Sequence, residues 1–233
     1  MLNSIPEFVS IIFYCTTLVT LVFFFLMIKD KNIFRKPLFV VMGCLFWLLI
    51  QALLAVNGFY YSNTSTLPPK LMVVGVAPLF IVMGVMFNTS YGKRFIDSIS
   101  LYYTTLLSIV RIPVELCLYW LFIGNAIPEI MTFSGLNFDI LAGFTAPLVA
   151  YLYFSKGRIN KKILLIWNIL GLCLLLTIIC LAVLSFPFPF QQLAFDQPNI
   201  GLLYFPFVWL PTFVAPLVLF GHLVSIRQLL KKT

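Results

Sequence analysis

Two charged side chains interrupt a long apolar run, Arg111 and Glu115 within TTLLSIVRIPVELCLY, Thr104 to Tyr119. Polar residues recur there at Thr104, Ser108, Arg111, Glu115 and Tyr119, in steps of four, three, four and four, the period of one helix face. The positions between them are almost all apolar. The pattern predicts a membrane-spanning helix that turns a polar stripe toward protein or water. A charge at the centre of such a helix costs about 2.5–3.5 kcal/mol on insertion scales, so something must offset it.

Pro113 lies between the two charges and leaves the Ile109 carbonyl without its helical donor, an acceptor for Arg111 or for water. One reading of Arg111 and Glu115 is a neutral ion pair that only fixes helix packing. The other is a binding or proton-handling site, which intramembrane charges tend to mark. Glu129, Asn137 and Asp139 follow just beyond the same helix. Three carboxylates crowded around one arginine are the makings of a general acid, since one of them can keep its proton at neutral pH. The candidate acids are therefore Glu115, Glu129 and Asp139. The candidate ligand-binding set is Arg111, Glu115, Glu129, Asn137 and Asp139, with Ser108 and Tyr119 from the stripe. The plainer readings are a solvated loop residue for Glu129 and a helix cap for Asp139.

His222 is the single histidine, so a bis-histidine haem site or a zinc site built from several histidines is excluded within one chain. It reads as an interfacial, hydrogen-bonded residue, with a proton relay as the alternative. Gln51, Asn57 and Asn168 read as interhelical hydrogen-bonders, and Trp47, Trp120, Trp167 and Trp209 as belt or packing residues. The five cysteines fall inside apolar runs without a CxxC, which argues against a structural disulfide. There is no phosphate-binding glycine loop, GxSxG elbow or HExxH. No metal and no cofactor are expected.

The elements that must position these residues follow from composition. The chain is 62% hydrophobic and 9% charged, against about 25% charged in a soluble domain. Apolar runs recur at about the 20 residues needed to cross a bilayer core. They predict an all-α integral membrane protein, residues 1–233 forming one domain of seven transmembrane helices. The spans are set at about 8–28, 38–57, 71–87, 98–123, 137–154, 163–186 and 201–226. Thirteen of the fifteen Lys and Arg residues lie in alternate connections and the C-terminal tail. That asymmetry places the N-terminus outside and the C-terminus in the cytoplasm. The first run has no basic residue before it and is of full spanning length, so it reads as an uncleaved span.

The outer connection from Gly124 to Asn137 reads as a short interfacial helix or a lid, and Asn137 or Asp139 as the cap of the fifth span. Asn63-Thr64-Ser65 fits a glycosylation acceptor in another outer loop. Ala-Pro-Leu occurs three times at equal spacing, at Ala77, Ala146 and Ala215. This is either a worn helix-pair repeat or an accident of common membrane prolines. Each of these prolines predicts a kink. The layout is similar to that of small seven-span groups, sugar facilitators and integral-membrane terpene cyclases among them, in span count and orientation only.

These readings converge on a multi-pass protein of the inner or plasma membrane with a polar pocket open to the outside. Arg111 and Glu115 would form its floor, and Glu129, Asn137 and Asp139 its rim. Its partners would be membrane lipids and a small amphipathic or lipid-like molecule, bound or transported. The basic clusters sit at helix ends without aromatic interleaving, which suits lipid head groups and not nucleic acid. A cofactor-free enzyme doing acid–base chemistry on a lipid or isoprenoid is one alternative, and a structural or assembly subunit with a buried Arg–Glu pair is another. The oligomeric state is left open.

Overall fold

The computed structural model describes residues 4–28, 37–156 and 160–231, and the described residues are all-helical, with no strand. The helices are α1 (Glu7–Ile28), α2 (Pro37–Val56), α3 (Leu71–Asn88), α4 (Ser90–Ser98), α5 (Leu101–Ile123), α6 (Ile140–Ser155), α7 (Lys161–Ser185) and α8 (Leu210–Leu230). Six of them are long and apolar enough to cross a membrane: α1, α2, α3, α5, α7 and α8. The sixth helix, α6, is apolar but shorter, and α4 is a short amphipathic piece.

Burial sets the layers. In α8, 67% of the apolar window is buried, against 17% in α2 and 11% in α3, so α8 is the central helix and the other two are peripheral. It packs against α3, α4, α5 and α7, while α5 packs on its other sides against α1 and α6. Large apolar side chains of α2, α3, α6 and α7 face outward, among them Phe46, Ile81, Phe144 and Leu170. A water-soluble chain would bury such residues, whereas a hydrocarbon surround accepts them. The buried threonines of α1 are satisfied inside their own helix: Thr16, Thr17 and Thr20 donate to the carbonyls of Ile12, Phe13 and Thr16.

Two of the three Ala-Pro-Leu copies share a local geometry. The π-helical turn Leu71–Val76 precedes Ala77-Pro78, and the π-helical turn Leu210–Val214 precedes Ala215-Pro216. Proline lacks an N–H and its ring crowds the carbonyl four residues back, so the preceding turn widens. These two turns pack against each other. A Cβ on Gly75 would meet Thr212 Cγ2 at 2.7 Å, so glycine permits the approach. At the third copy, Pro147 lies inside α6 and the π-turn follows it, at Tyr151–Ser155.

Most of the helices begin and end within a few residues of the apolar runs in the sequence. The chief exceptions are at the two ends of the polar connections. The last long helix starts at Leu210, not near 201, because the prolines at 206 and 211 fold the segment before it into turns and a single 3-10 turn, Gly201–Leu203. The helix α4 lies in what reads as a plain inner connection. Thr89 caps it by accepting from the Gly92 N–H at 3.1 Å, and Phe95 and Ile96 bury its apolar side. It is tied to the end of α8: Arg227 Nε donates to Asp97 at 3.0 Å and Lys231 Nζ at 2.9 Å, while Gln228 donates to the carbonyls of Ile96 and Ile99. Burial alone would raise the Asp97 carboxyl, but the hydrogen bonds and charges of Lys231 and Arg227 hold it below the ordinary aspartate range. The basic residues Lys29, Lys31, Arg35, Lys36, Arg158 and Lys232, on which the orientation reading also rests, lie outside the described residues.

The connection from Gly124 to Asn137 is neither an interfacial helix nor a free lid. It holds one 3-10 turn, Glu129–Met131, and buries Ala126, Ile127, Met131 and Thr132. The N–H groups of Ile200 and Gly201 both donate to the Ala126 carbonyl, and Gln197 Nε2 donates to the carbonyls of Phe122 and Ile127. The connection is thus pinned to the segment that leads into α8.

Candidate functional site

Three elements converge on Arg111, which is 2% exposed. Its Nη1 donates to Asp139 Oδ1 at 2.7 Å and to the Gly171 carbonyl at 3.1 Å. Its Nη2 lies 2.6 Å from His222 Nε2. A guanidinium has no acceptor, so His222 must accept through Nε2 and carry its proton on Nδ1. That proton points to Asn168 Oδ1, 3.1 Å away, and the Asn168 amide donates back to the Leu164 carbonyl of its own helix. The Arg111 Nε–H is buried without a partner.

Local sequence explains how each element reaches this point. In α5 a 3-10 turn, Ser108–Val110, tightens the helix just ahead of Arg111 and Pro113. A Cβ on Gly143 would meet Ile112 Cγ1 at 2.8 Å and the Ser108 carbonyl at 3.3 Å, so this glycine lets α6 lie close to that turn. Gly171 plays the same part in α7: a Cβ there would meet His222 Cε1 at 2.8 Å. Asn137 turns the chain into α6 by accepting the Asp139 N–H on its Oδ1 at 3.0 Å, which leaves the Asp139 side chain for Arg111. The same Asn137 amide nitrogen lies 2.6 and 2.7 Å from the two oxygens of Glu115 and 3.0 Å from the Met131 carbonyl.

The carboxylate that Arg111 grips is therefore Asp139, and no Arg111–Glu115 salt bridge forms. The within-helix pair suggested by the four-residue spacing is replaced by one between α5 and the start of α6. Nor does the guanidinium use the Ile109 carbonyl freed by Pro113, since the Gly171 carbonyl serves instead. Asp139 makes no side-chain cap to α6.

Beside this cluster lies a cavity of about 120 Å³. Arg111, Glu115 and Asp139 sit in its wall; the rest of the lining is apolar, contributed by α3, α5, α7 and α8 and, from the connections, by Met131, Phe186 and Leu202. Both π-turns face it, through Met72 and Val76 on one side and Pro211 and Val214 on the other. Phe80 of α3 and Ile179, Ala182 and Val183 of α7 line it while remaining partly exposed, so the mouth opens sideways between these helices. Where the sequence reads as a polar pocket open to the outside, the structure has an apolar cavity with a polar inner end.

The remaining candidates separate. Asn137 stands behind Glu115 and does not line the cavity. Glu129 is exposed and lies apart from the cluster, because its 3-10 turn directs Met131 inward in its place. Tyr119 stacks on Phe133 with ring centroids 5.0 Å apart, and Ser108 is buried against α6, so neither reaches the cavity. Sequence reasoning missed His222 and Gly171 as partners of Arg111; Asn168 is the interhelical hydrogen-bonder it reads as, through His222. His222 is 3% exposed and internal, not interfacial. The available signal was three residues, a histidine, an asparagine and a glycine, on otherwise apolar helices. Asn57 bonds only the Leu53 carbonyl of its own helix. Gln51 does bridge helices, donating to the Val74 carbonyl and accepting from Tyr60.

No curated protein and no solved structure matches the chain. Residues 68–230 match the family described as a domain of unknown function, DUF8737. That stretch runs from the start of α3 to the end of α8 and holds every residue of the cluster, whereas α1 and α2 precede it. The match covers well over half of the sequence, and the chain therefore belongs to the DUF8737 family.

Proposed function

We propose that this protein spans the membrane seven times, N-terminus outside, and binds or transports a small amphipathic or lipid-like molecule in the lateral cavity. Membrane lipids surround it, in the inner or plasma membrane, and α6 serves as the short seventh span. The ligand enters from the side between α3 and α7, lays its apolar part against Ile178, Leu175 and Val214, and brings its polar part to the inner end. The observation that carries this reading is the cavity itself, apolar throughout except where Arg111, Glu115 and Asp139 meet it. A bundle whose charges only position helices has no need of such a space.

The cluster also narrows the polar part. Asp139 already balances Arg111, so the arginine is poorly placed to hold an anion. A second reading, acid–base chemistry on a lipid or isoprenoid, is favoured by one observation: Glu115 faces the apolar cavity while Asp139 is engaged and Glu129 is remote. The test is mass spectrometry of small molecules that co-purify in mild detergent with the wild type, Glu115→Gln and Arg111→Gln. The expected result is a defined compound in the wild type that is lost in both variants; bulk lipid alone, equal in all three, would sink the reading. A compound recovered in a chemically altered form only from the wild type would favour the enzyme.

A further inference from the structure

The charges around the cavity do not balance. Arg111 and Asp139 cancel as a pair at 2.7 Å. His222 is neutral, because its Nε2 must accept from Arg111. That leaves Glu115, 1% exposed, as one carboxyl without a counter-charge at the inner end of an apolar space. Among the described residues, Glu7 at the start of α1 and Glu129 of the 3-10 turn are both exposed, and the side chain bonded to Glu115 is the neutral amide of Asn137, just ahead of α6. Asn137 supplies one amide nitrogen to both Glu115 oxygens. A carboxylate has about four acceptor positions, so Glu115 keeps room for further donors.

An unbalanced carboxylate in a low-dielectric site takes up either a proton or a cation. We infer that Glu115 is the binding point for the single positive charge of a lipophilic amine, which enters the cavity in exchange for the Glu115 proton. The inference rests on the cavity being a ligand site and adds the chemical class of the ligand and its coupling to protons. In the exchange an ammonium group enters, Glu115 gives up one proton to solvent, and the resulting carboxylate pairs with the ammonium, so the charge of the site is unchanged. The same two states, protonated and amine-bound, are what a proton-coupled exporter of lipophilic amines would alternate between.

The test uses the full-length protein in nanodiscs of zwitterionic lipid, with empty nanodiscs as the blank. Three probes share one chain and differ in charge: decylammonium, decanol and decanoate. Calorimetric binding and proton release in weak buffer are measured for the wild type, Glu115→Gln and Arg111→Gln. Decylammonium is expected to bind with release of about one proton, to tighten about tenfold for each pH unit while the proton is being displaced, and to lose at least tenfold in affinity in Glu115→Gln. Decanol or decanoate binding best, with Arg111→Gln weakening it and Glu115→Gln sparing it, would overturn the amine inference and leave the cavity as a ligand site. Decylammonium binding unchanged by Glu115→Gln and without proton release would also overturn it. No saturable binding of any probe above the blank would overturn both.

Discussion

Arg111 has two possible carboxylate partners, and the structure commits to Asp139. The two carboxylates should therefore respond oppositely to neutralisation. Asp139→Asn leaves the guanidinium buried without its counter-charge, among the neutral partners Gly171 and His222. Breaking a buried pair by removing one partner costs about 3–5 kcal/mol. For a chain of this size each kcal/mol moves the melting temperature by about 2–4 °C, so a loss of roughly 6–20 °C is expected. Arg111→Gln should cost a similar amount, since it strands Asp139. The double variant Arg111→Gln/Asp139→Asn should recover part of the loss, with a coupling of about 0.5–3 kcal/mol. Glu115→Gln replaces a carboxyl that no salt bridge holds with a neutral amide and should leave the melting temperature unchanged or slightly raised. The assay is thermal unfolding of the detergent-solubilised variants, followed by tryptophan fluorescence. The reasoning fails if Arg111→Gln/Glu115→Gln shows the recovery and Arg111→Gln/Asp139→Asn does not, because Glu115 would then be the partner.

Gly171→Ala should destabilise by about 1–3 kcal/mol, since its new methyl meets the His222 ring at 2.8 Å in a packed interior; a melting temperature equal to wild type would mean the ring has room to move. Asn137→Ala should cost about 1–3 kcal/mol in the same assay, because it removes the amide from Glu115 and the acceptor from the Asp139 N–H. The Asp97 clamp gives a pH dependence of fixed sign. Its carboxyl is lowered in the folded protein, so its stabilisation is present above the ordinary aspartate value of 3.8 and is lost as pH falls through the lowered value. Wild type minus Asp97→Asn should therefore shrink toward zero on acidification, and should also shrink with added salt because the clamp is partly exposed; a difference that grows as pH falls would contradict the assignment.

The long helices were legible because hydrocarbon thickness fixes their length and hydropathy fixes their content. The stripe through Arg111 and Glu115 was legible because one face of one helix repeats every three to four residues. What that period cannot reveal is a partner on another helix. Asp139, Gly171 and His222 lie 28, 60 and 111 positions from Arg111 in the chain, and only the close crossings at Gly143 and Gly171 bring them to it. Glu129 shows the converse error, a carboxylate near the site in sequence whose turn faces it away. The start of α8 was misplaced because the aromatic, proline-rich run before it is as apolar as a helix yet cannot form one. The cavity itself had no sequence signal, since its lining comes from α3, α5, α7, α8 and the connections between them, which meet only in the fold.

The account turns on whether the cavity holds a molecule, and a variant that fills it without touching the charges asks this most directly. Ala182 lies on the α7 wall near the mouth and carries no charge or hydrogen-bonding side chain of its own. Mass spectrometry of co-purifying small molecules, run on wild type and Ala182→Trp at matched melting temperature, should find a defined amphiphile near one per protein in the wild type and none in the variant. The same bulk lipid in both, and no defined compound in either, would contradict the account.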